Sequence, residues 1–171
     1  MRIDDPRLEA SRKTMFERIE NYNAIVLAVT KGHLAIEDAI DAYIEASASN
    51  PHYIVDETRF MFALKANICL SLCAEHHIDN IWSVLWAMNA LRNKVAHTQE
   101  LDKIQGQMDN LRKVLNNILT PQQVKSLEKQ PDHYIVVHAS SLCAGFLATI
   151  AEEAKAKRRE DQAGQPAQSK K

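Results

Sequence analysis

The spacing of apolar residues in the first quarter of the chain predicts a long helix that packs on a core. From Tyr22 onward they recur at the helical period of about 3.6 residues and form one stripe. Its members are Tyr22, Ile25, Val29, Ile36, Ile40 and Tyr43. Gly32 interrupts the run, so the helix either passes through a close contact there or ends and restarts. Leu27 and Leu34 fall on the opposite side, which predicts that the helix is covered on two faces.

The same period returns in later segments, which proline and other turn residues separate. A helix from about Asp56 is predicted to be central, because it is apolar on two sides. One of its stripes is Phe60, Met61, Leu64, Ile68 and Leu72, and the other is Phe62, Ala66, Cys69 and Cys73. The other predicted helices are Arg7 to Thr30, about Asn80 to His97, Leu101 to Leu119, one from Thr120-Pro121, and His133 to about Arg159. The fold class expected is an all-α, up-and-down bundle of five or six helices.

Length and composition agree with this picture and set the domain boundary. The 171 residues predict one domain, and only 4 Gly and 5 Pro suit long helices with few turns. We place the domain at residues 1–154. Residues 155–171 are rich in Lys, Arg, Gln and Ala but lack large apolar residues, so a frayed or disordered tail is expected. Its basic residues could touch RNA, although a solvated helix end is the commoner explanation.

Charge, hydropathy and cysteine usage narrow the function classes. A net charge of -1 argues against a protein that binds nucleic acid by overall electrostatics. The N-terminus has no apolar run, and no stretch approaches roughly 20 apolar residues, so a soluble cytoplasmic protein is expected. Cys69 and Cys73 with His76 and His77 raise the alternative of a zinc site. Small buried thiols in a reducing cytosol are favoured instead, with no metal or other cofactor.

One arginine stands out on the helix that ends at His97. At about 100° per residue, Ile81, Leu85, Met88 and Val95 form its apolar stripe. Arg92 falls inside that stripe, while Asn89, Asn93 and His97 lie on one flank. An arginine on an apolar face is costly unless it is paired or used. It is therefore either a structural partner of an acid or part of a functional site, and the pattern alone leaves both open.

Three segments together resemble HEPN domains (higher eukaryotes and prokaryotes nucleotide-binding domains). Residues 89–97, Asn-Ala-Leu-Arg-Asn-Lys-Val-Ala-His, resemble their R-x4-6-H motif. Residues 32–37, Gly-His-Leu-Ala-Ile-Glu, are similar to the GHLxIE element of small bacterial proteins of this type, and Phe62-Ala63-Leu64-Lys65 to their F-x-x-K segment. The resemblance covers about Thr30 to Gln99, and no motif is recognised after Glu100.

This resemblance implies a metal-independent endoribonuclease, the toxin of a toxin–antitoxin pair or a defence protein. His97 would act as general acid or base and Arg92 would bind the phosphate, while Asn93 would orient His97 or the phosphate by hydrogen bonding. Glu37, Asn89 and Lys65 are supporting candidates. For Glu37 a structural pairing is favoured over a direct role, and for His33 a packed position is favoured. The family also implies a homodimer whose two motifs face one cleft, RNA as substrate and a nucleotidyltransferase-type antitoxin as partner.

Two other interpretations remain open. The mannitol operon repressor family carries a related RNxxAH-type segment, which implies a non-catalytic regulator that binds a partner. A plain helical scaffold is the third possibility, because fold does not fix function. RNA binding would need a local basic patch in a chain that is not basic overall. The nearby cations that could supply it are Arg92, Lys94, Lys103, Arg112 and Lys113.

Overall fold

The structure is a computed structural model that describes residues 6–56, 61–73, 79–98 and 100–164; for residues 6–11, 18, 21, 79, 101 and 164 it describes the backbone alone. These residues form seven helices and no strand, which confirms the all-α prediction. The helices are α1 (Pro6–Ser47), α2 (His52–Val55), α3 (Phe62–Leu72), α4 (Asp79–Ala96), α5 (Leu101–Asn116), α6 (Pro121–Leu127) and α7 (Asp132–Gly164). The short α2, before the predicted start near Asp56, raises the count above five or six.

Gly32 lies inside α1, which continues through it without a break. A Cβ atom added at Gly32 would lie 2.0 Å from the Oγ and 2.8 Å from the Cβ of Ser140 on α7. No side chain fits in that space. Of the two alternatives, the close contact is therefore the correct one, and glycine allows the two helices to approach each other here.

The chain divides into two compact units, and α1 and α7 run from one into the other. The first comprises Met1–His33 and Asn80–Ser140, and the second Leu34–Asp79 and Ser141–Lys171. Large apolar side chains fill the first core: Ile25, Val29, Leu85, Met88, Leu91, Ile104, Met108, Leu111, Leu115 and Ile135. The second core contains Ile36, Ile40, Tyr43, Ile44, Phe62, Cys69, Cys143 and Leu147. The predicted tail is helical from residue 155 to Gly164, and residues 165–171 lie outside the described part.

Sequence periodicity is most accurate in α5 and α6. The predicted stripe of α5, Ile104, Met108, Leu111 and Leu115, is buried along its whole length. The predicted start of α6 is also present, because Thr120 accepts a hydrogen bond from the Gln123 backbone N–H and the Gln123 side chain accepts one from the Thr120 N–H. This reciprocal capping box, with Pro121 in the first turn, satisfies two backbone donors that the helix itself cannot.

Two predictions of doubly covered helices are wrong. Leu27 and Leu34 on α1 are 55% and 54% exposed, so that face is not covered within the described chain. In α3, Phe62, Ala66 and Cys69 are buried, whereas Met61 just before it and Leu64 are exposed. Phe60 of the predicted stripe lies outside the described residues. The physical reason is that apolar side chains make up much of any protein surface, so an apolar position does not by itself imply burial.

By length and composition alone, α7 is apolar enough to cross a membrane, with a mean hydropathy of 1.7 over its most apolar window. This corrects the expectation that no stretch comes near a membrane span. Six of the apolar residues of α7 are buried within the protein: Ile135, Val136, Ala139, Cys143, Leu147 and Ala151. The core helix of a soluble protein has the same properties, so a single such helix is weak evidence for a span.

Candidate functional site

The C-terminal end of α4 carries the polar residues of the motif. The helix is anchored by fully buried side chains, among them Met88 and Leu91, and it ends at Ala96. His97 follows immediately, and its backbone N–H donates to the carbonyl of Lys94 at 3.1 Å. The terminal carbonyls of a helix lack partners within it and carry partial negative charge, which favours cations nearby. The motif therefore occupies a stable helix end that opens to solvent.

Arg92 is exposed, contrary to the prediction that it lies in the apolar stripe. Its neighbours Leu91 and Val95 are buried, but a long side chain can lie along the edge of an apolar surface and carry its charged end into water. Among the described residues, Arg92 hydrogen-bonds to Asn93, from Nη1 to Oδ1 at 3.3 Å. Because Arg92 is exposed to solvent, its guanidinium does not need a buried carboxylate as a counter-charge.

His33 of α1 is buried and lies within electrostatic reach of Arg92. Two causes lower the pKa of His33 below its ordinary value. Burial is the larger cause, and the positive charge of Arg92 is the smaller one. The expectation of a packed histidine is thereby confirmed for its burial. A neutral imidazole beside an exposed guanidinium leaves the positive charge of Arg92 undiminished.

A groove of about 1130 Å³ adjoins His97. The first part of α1 supplies an apolar wall that includes Ile19 and Val26, together with Tyr22, whose hydroxyl donates a hydrogen bond to the carbonyl of Thr98. His97 lines the groove, but Arg92 does not. Arg92 lies inside α4, whereas His97 follows its last residue, Ala96, so the two side chains need not share one face of the helix.

The charges along the groove are more acidic than basic. Glu100, Asp102 and Lys103 all line it, at the start of α5. Lys103 Nζ lies 2.7 Å from Glu100 Oε1, so this ammonium is already paired with a carboxylate. Acidic residues in the first turn of a helix are stabilised by the helix dipole, which explains Asp102 locally. Among the described residues that line it, the groove thus offers an imidazole but no unpaired Lys or Arg for a phosphate.

The supporting candidates fall in different places. Asn93 is exposed and holds the Arg92 guanidinium, so these two side chains act as a pair. Asn89 is half-buried on α4, one turn before Asn93. Glu37 and Lys65 belong to the second unit, where Lys65 is buried. Among the motif residues, Arg92, Asn93 and His97 therefore share one helix end.

Lys65 has two acidic partners in the second unit. Its Nζ lies 2.8 Å from Asp41 Oδ2 and 3.9 Å from Glu37 Oε1. The sequence analysis missed Asp41, although its position four residues after Glu37 puts both acids on one face of α1. Lys65 thus pairs with acids and ties α3 to α1. The structural role favoured for Glu37 was a pairing with Arg92, whereas the ion pair found for Glu37 is with Lys65.

Two cations of the suggested basic patch are used within the protein. Arg112 donates to Asp132 Oδ1 from Nη2 at 2.6 Å and to the Gln130 carbonyl at 3.1 Å. It thereby fixes the break between α6 and α7. Lys103 is paired with Glu100, as described above. The patch is therefore weaker than the sequence suggests.

The cysteines do not form a metal site in the described residues. Burial raises the pKa of Cys69 and of Cys143 to about 12, with the neighbouring Cys73 adding to the effect at Cys69. Metal binding requires the thiolate, which such burial disfavours. No group of three or more His, Cys, Asp or Glu residues that could hold a metal is found in the described part of the chain. His76 and His77 of the zinc alternative lie outside it.

Comparison with known proteins adds no relative to these observations. No protein-family model matches the chain, and no curated protein or solved structure matches it either. The HEPN resemblance therefore stands on the three motif segments alone.

Proposed function

We propose that this protein is a metal-independent endoribonuclease of the HEPN type. The observation that carries the proposal is the joint exposure of Arg92, Asn93 and His97 at the end of α4. A guanidinium matches the geometry of a phosphate, and an imidazole exchanges protons near neutral pH. A side-chain amide bound to the guanidinium limits its orientations, which favours binding in one geometry.

The proposed reaction is cleavage of RNA by its own ribose. The 2′-oxygen attacks the adjacent phosphorus, the new O–P bond forms, and the bond from phosphorus to the 5′-oxygen breaks. His97 accepts the 2′-hydroxyl proton or donates one to the leaving 5′-oxygen. Arg92 stabilises the charge that develops on the phosphoryl oxygens. The products are a 2′,3′-cyclic phosphate and a 5′-hydroxyl.

We further propose that two copies of the chain assemble the site. Within one copy, His97 lines the groove and Arg92 lies outside it, so a second copy is a simple way to bring both groups to one phosphate. The exposed apolar side chains of α1 near the groove, Met15, Phe16, Ile19 and Leu27, support an interface on this face. The resemblance adds a cytoplasmic toxin controlled by a nucleotidyltransferase-type antitoxin.

The test is RNA cleavage by purified protein in EDTA. The wild type is expected to yield cyclic-phosphate ends, and Arg92→Ala and His97→Ala to lose activity while keeping their helicity. Arg159→Ala and His52→Ala are matched controls, because both residues are exposed and lie outside the motif. Cleavage that persists in both motif variants, or no cleavage by the wild type, would overturn the proposal.

A non-catalytic regulator similar to the mannitol operon repressor is the second candidate. The observation that favours it is the charge of the groove, where Glu100 and Asp102 would repel a phosphate backbone. It predicts that overexpression leaves cellular RNA intact. Growth arrest with RNA cleavage, relieved by His97→Ala, would exclude it.

A further inference from the structure

The short segment after α4, which begins with His97, is held at three points. The His97 N–H donates to the Lys94 carbonyl at 3.1 Å, and the Glu100 N–H donates to Thr98 Oγ1 at 3.3 Å. Both of these bonds are local. The third comes from Tyr22, whose hydroxyl donates to the Thr98 carbonyl across 76 residues of sequence. Tyr22 thus ties this segment to α1.

The position of this tie matters because His97 itself is exposed. Its imidazole is not packed into a core, so the direction of its side chain depends on the backbone that carries it. Thr98 is the next residue, and it is half-buried and lines the groove. The Thr98 carbonyl belongs to the peptide plane that follows the Thr98 Cα, so holding it restricts the backbone one residue after His97. Catalytic groups lose rate when their support allows displacements of about 1 Å.

We infer that Tyr22 is a positioning residue for His97, which holds the imidazole at the rim of the groove by fixing Thr98. The catalytic consequence rests on the proposed ribonuclease function, but the positioning does not. Tyr22 also closes the side of the groove that α1 forms, and its half-buried ring keeps the hydroxyl out of bulk water. A partly desolvated hydrogen bond of this kind is stronger than one at the open surface.

The test compares Tyr22→Phe with Tyr134→Phe. The first change removes the hydroxyl and keeps the ring, and the second is its control at an exposed tyrosine of α7. We expect Tyr22→Phe to shift the NMR signals of the His97 ring and to speed amide exchange of His97, Thr98 and Glu100 by about 2- to 10-fold, the range that one lost hydrogen bond gives. We also expect slower RNA cleavage in single-turnover experiments, an unchanged KM for RNA, and an altered pH dependence of the cleavage rate. Tyr134→Phe should change none of these.

The outcomes separate the two proposals. If Tyr22→Phe shifts the His97 signals while the wild-type protein cleaves no RNA, the positioning role is supported and the ribonuclease proposal is refuted. Unchanged His97 signals and exchange rates in Tyr22→Phe overturn the positioning role, whatever the activity. Equal changes in both tyrosine variants overturn it as well, because the effect would then be general. Near-ultraviolet circular dichroism checks that each variant is folded.

Discussion

Two of the cations in the motif segments, Lys65 and Arg92, have entirely different surroundings. Lys65 in the second unit is buried, and its ammonium lies 2.8 Å from Asp41 and within 4 Å of Glu37. Arg92 in the first unit is exposed, and its hydrogen bond to a described residue is a 3.3 Å contact with Asn93. Both were candidates for a functional site by sequence.

Their difference teaches which charge is free to meet a ligand. A buried cation must keep its counter-charges, because an unpaired charge in the interior is strongly unfavourable. Lys65 is therefore committed to Asp41 and Glu37. An exposed guanidinium has no such commitment, so an arriving phosphate gains a hydrogen-bonding partner without breaking a buried ion pair. The comparison assigns Lys65 to stability and leaves the charge of Arg92 accessible to a ligand.

The sharpest test of this contrast replaces each cation by methionine. Lys65→Met should lower the free energy of unfolding by about 3 kcal/mol, because it leaves the Asp41 carboxylate without its counter-charge. The other oxygen of Asp41 is already buried without a hydrogen-bond partner among the described residues, so the carboxylate depends on the Lys65 ammonium. Arg92→Met should stay within about 0.5 kcal/mol of the wild type, as surface substitutions usually do. Urea unfolding followed by circular dichroism measures both.

The reverse order of effects would break the comparison. If Arg92→Met destabilised the protein as much as Lys65→Met, Arg92 would be a structural partner and the regulator interpretation would gain. A double variant, Lys65→Met with Asp41→Leu, should recover part of the loss, since both charges are then gone.

A second, smaller effect concerns the close contact between Gly32 of α1 and Ser140 of α7. Gly32→Ala should cost about 1–3 kcal/mol, since the added Cβ overlaps Ser140 and the two helices must move apart. Gly106→Ala is the matched control in α5, where a Cβ meets nothing within 4 Å. There the gain in helix propensity should stabilise the protein by about 0.5–1 kcal/mol. Opposite signs in thermal melts would confirm that only Gly32 is required by packing.

The two alanine variants also test how the motif segment is built. If Gly32→Ala were as benign as Gly106→Ala, the contact between α1 and α7 would be adjustable. His33, the next residue, would then not be held in place by this contact.

Sequence periodicity was enough for most of the helices because burial repeats along a regular helix. The α5 stripe and the Thr120 capping box are local features, and both are present as predicted. The exposure of Leu27 could not be predicted, since periodicity detects apolar residues but not the partner that covers them. The same limit applies to Arg92, whose length lets its charge leave an apolar stripe.

The candidate site was predictable in its residue types but not in its arrangement. The motif predicted Arg92, Asn93 and His97 on one helix, but α4 ends at Ala96, so helix geometry sets the angle between Arg92 and Asn93 and not the direction of His97. The tie from Tyr22 to Thr98 joins residues that are far apart in sequence, so no local pattern could indicate it. Tyr22 looked like one more apolar position in the α1 stripe. Asp41 was missed for the related reason that its partner, Lys65, lies on another helix.

The smallest expected effect is a change in acid stability that reports on the distance from Arg92 to His33. The pKa of His33 is lowered in the folded protein, so the unfolded chain binds a proton first as pH falls below 6.5. This group therefore makes stability decrease from pH 6.5 down to its folded pKa. Arg92→Met removes one cause of the lowered pKa, so the pKa of His33 should rise and the acid loss of stability should shrink.

Two-dimensional NMR titration of the His33 ring measures this shift directly, with urea unfolding at pH 7.5 and about pH 5.5 as the linked readout. Arg159→Met is the control, because it removes an equal charge elsewhere and should leave the pKa of His33 in place. Burial is the larger cause of the shift and persists in every variant, so the pKa should move only part of the way to its ordinary value. A pKa that did not move at all in Arg92→Met would mean that the guanidinium is fully screened by water. Arg92 would then be even more exposed, and more available to an anion, than its place beside His33 indicates.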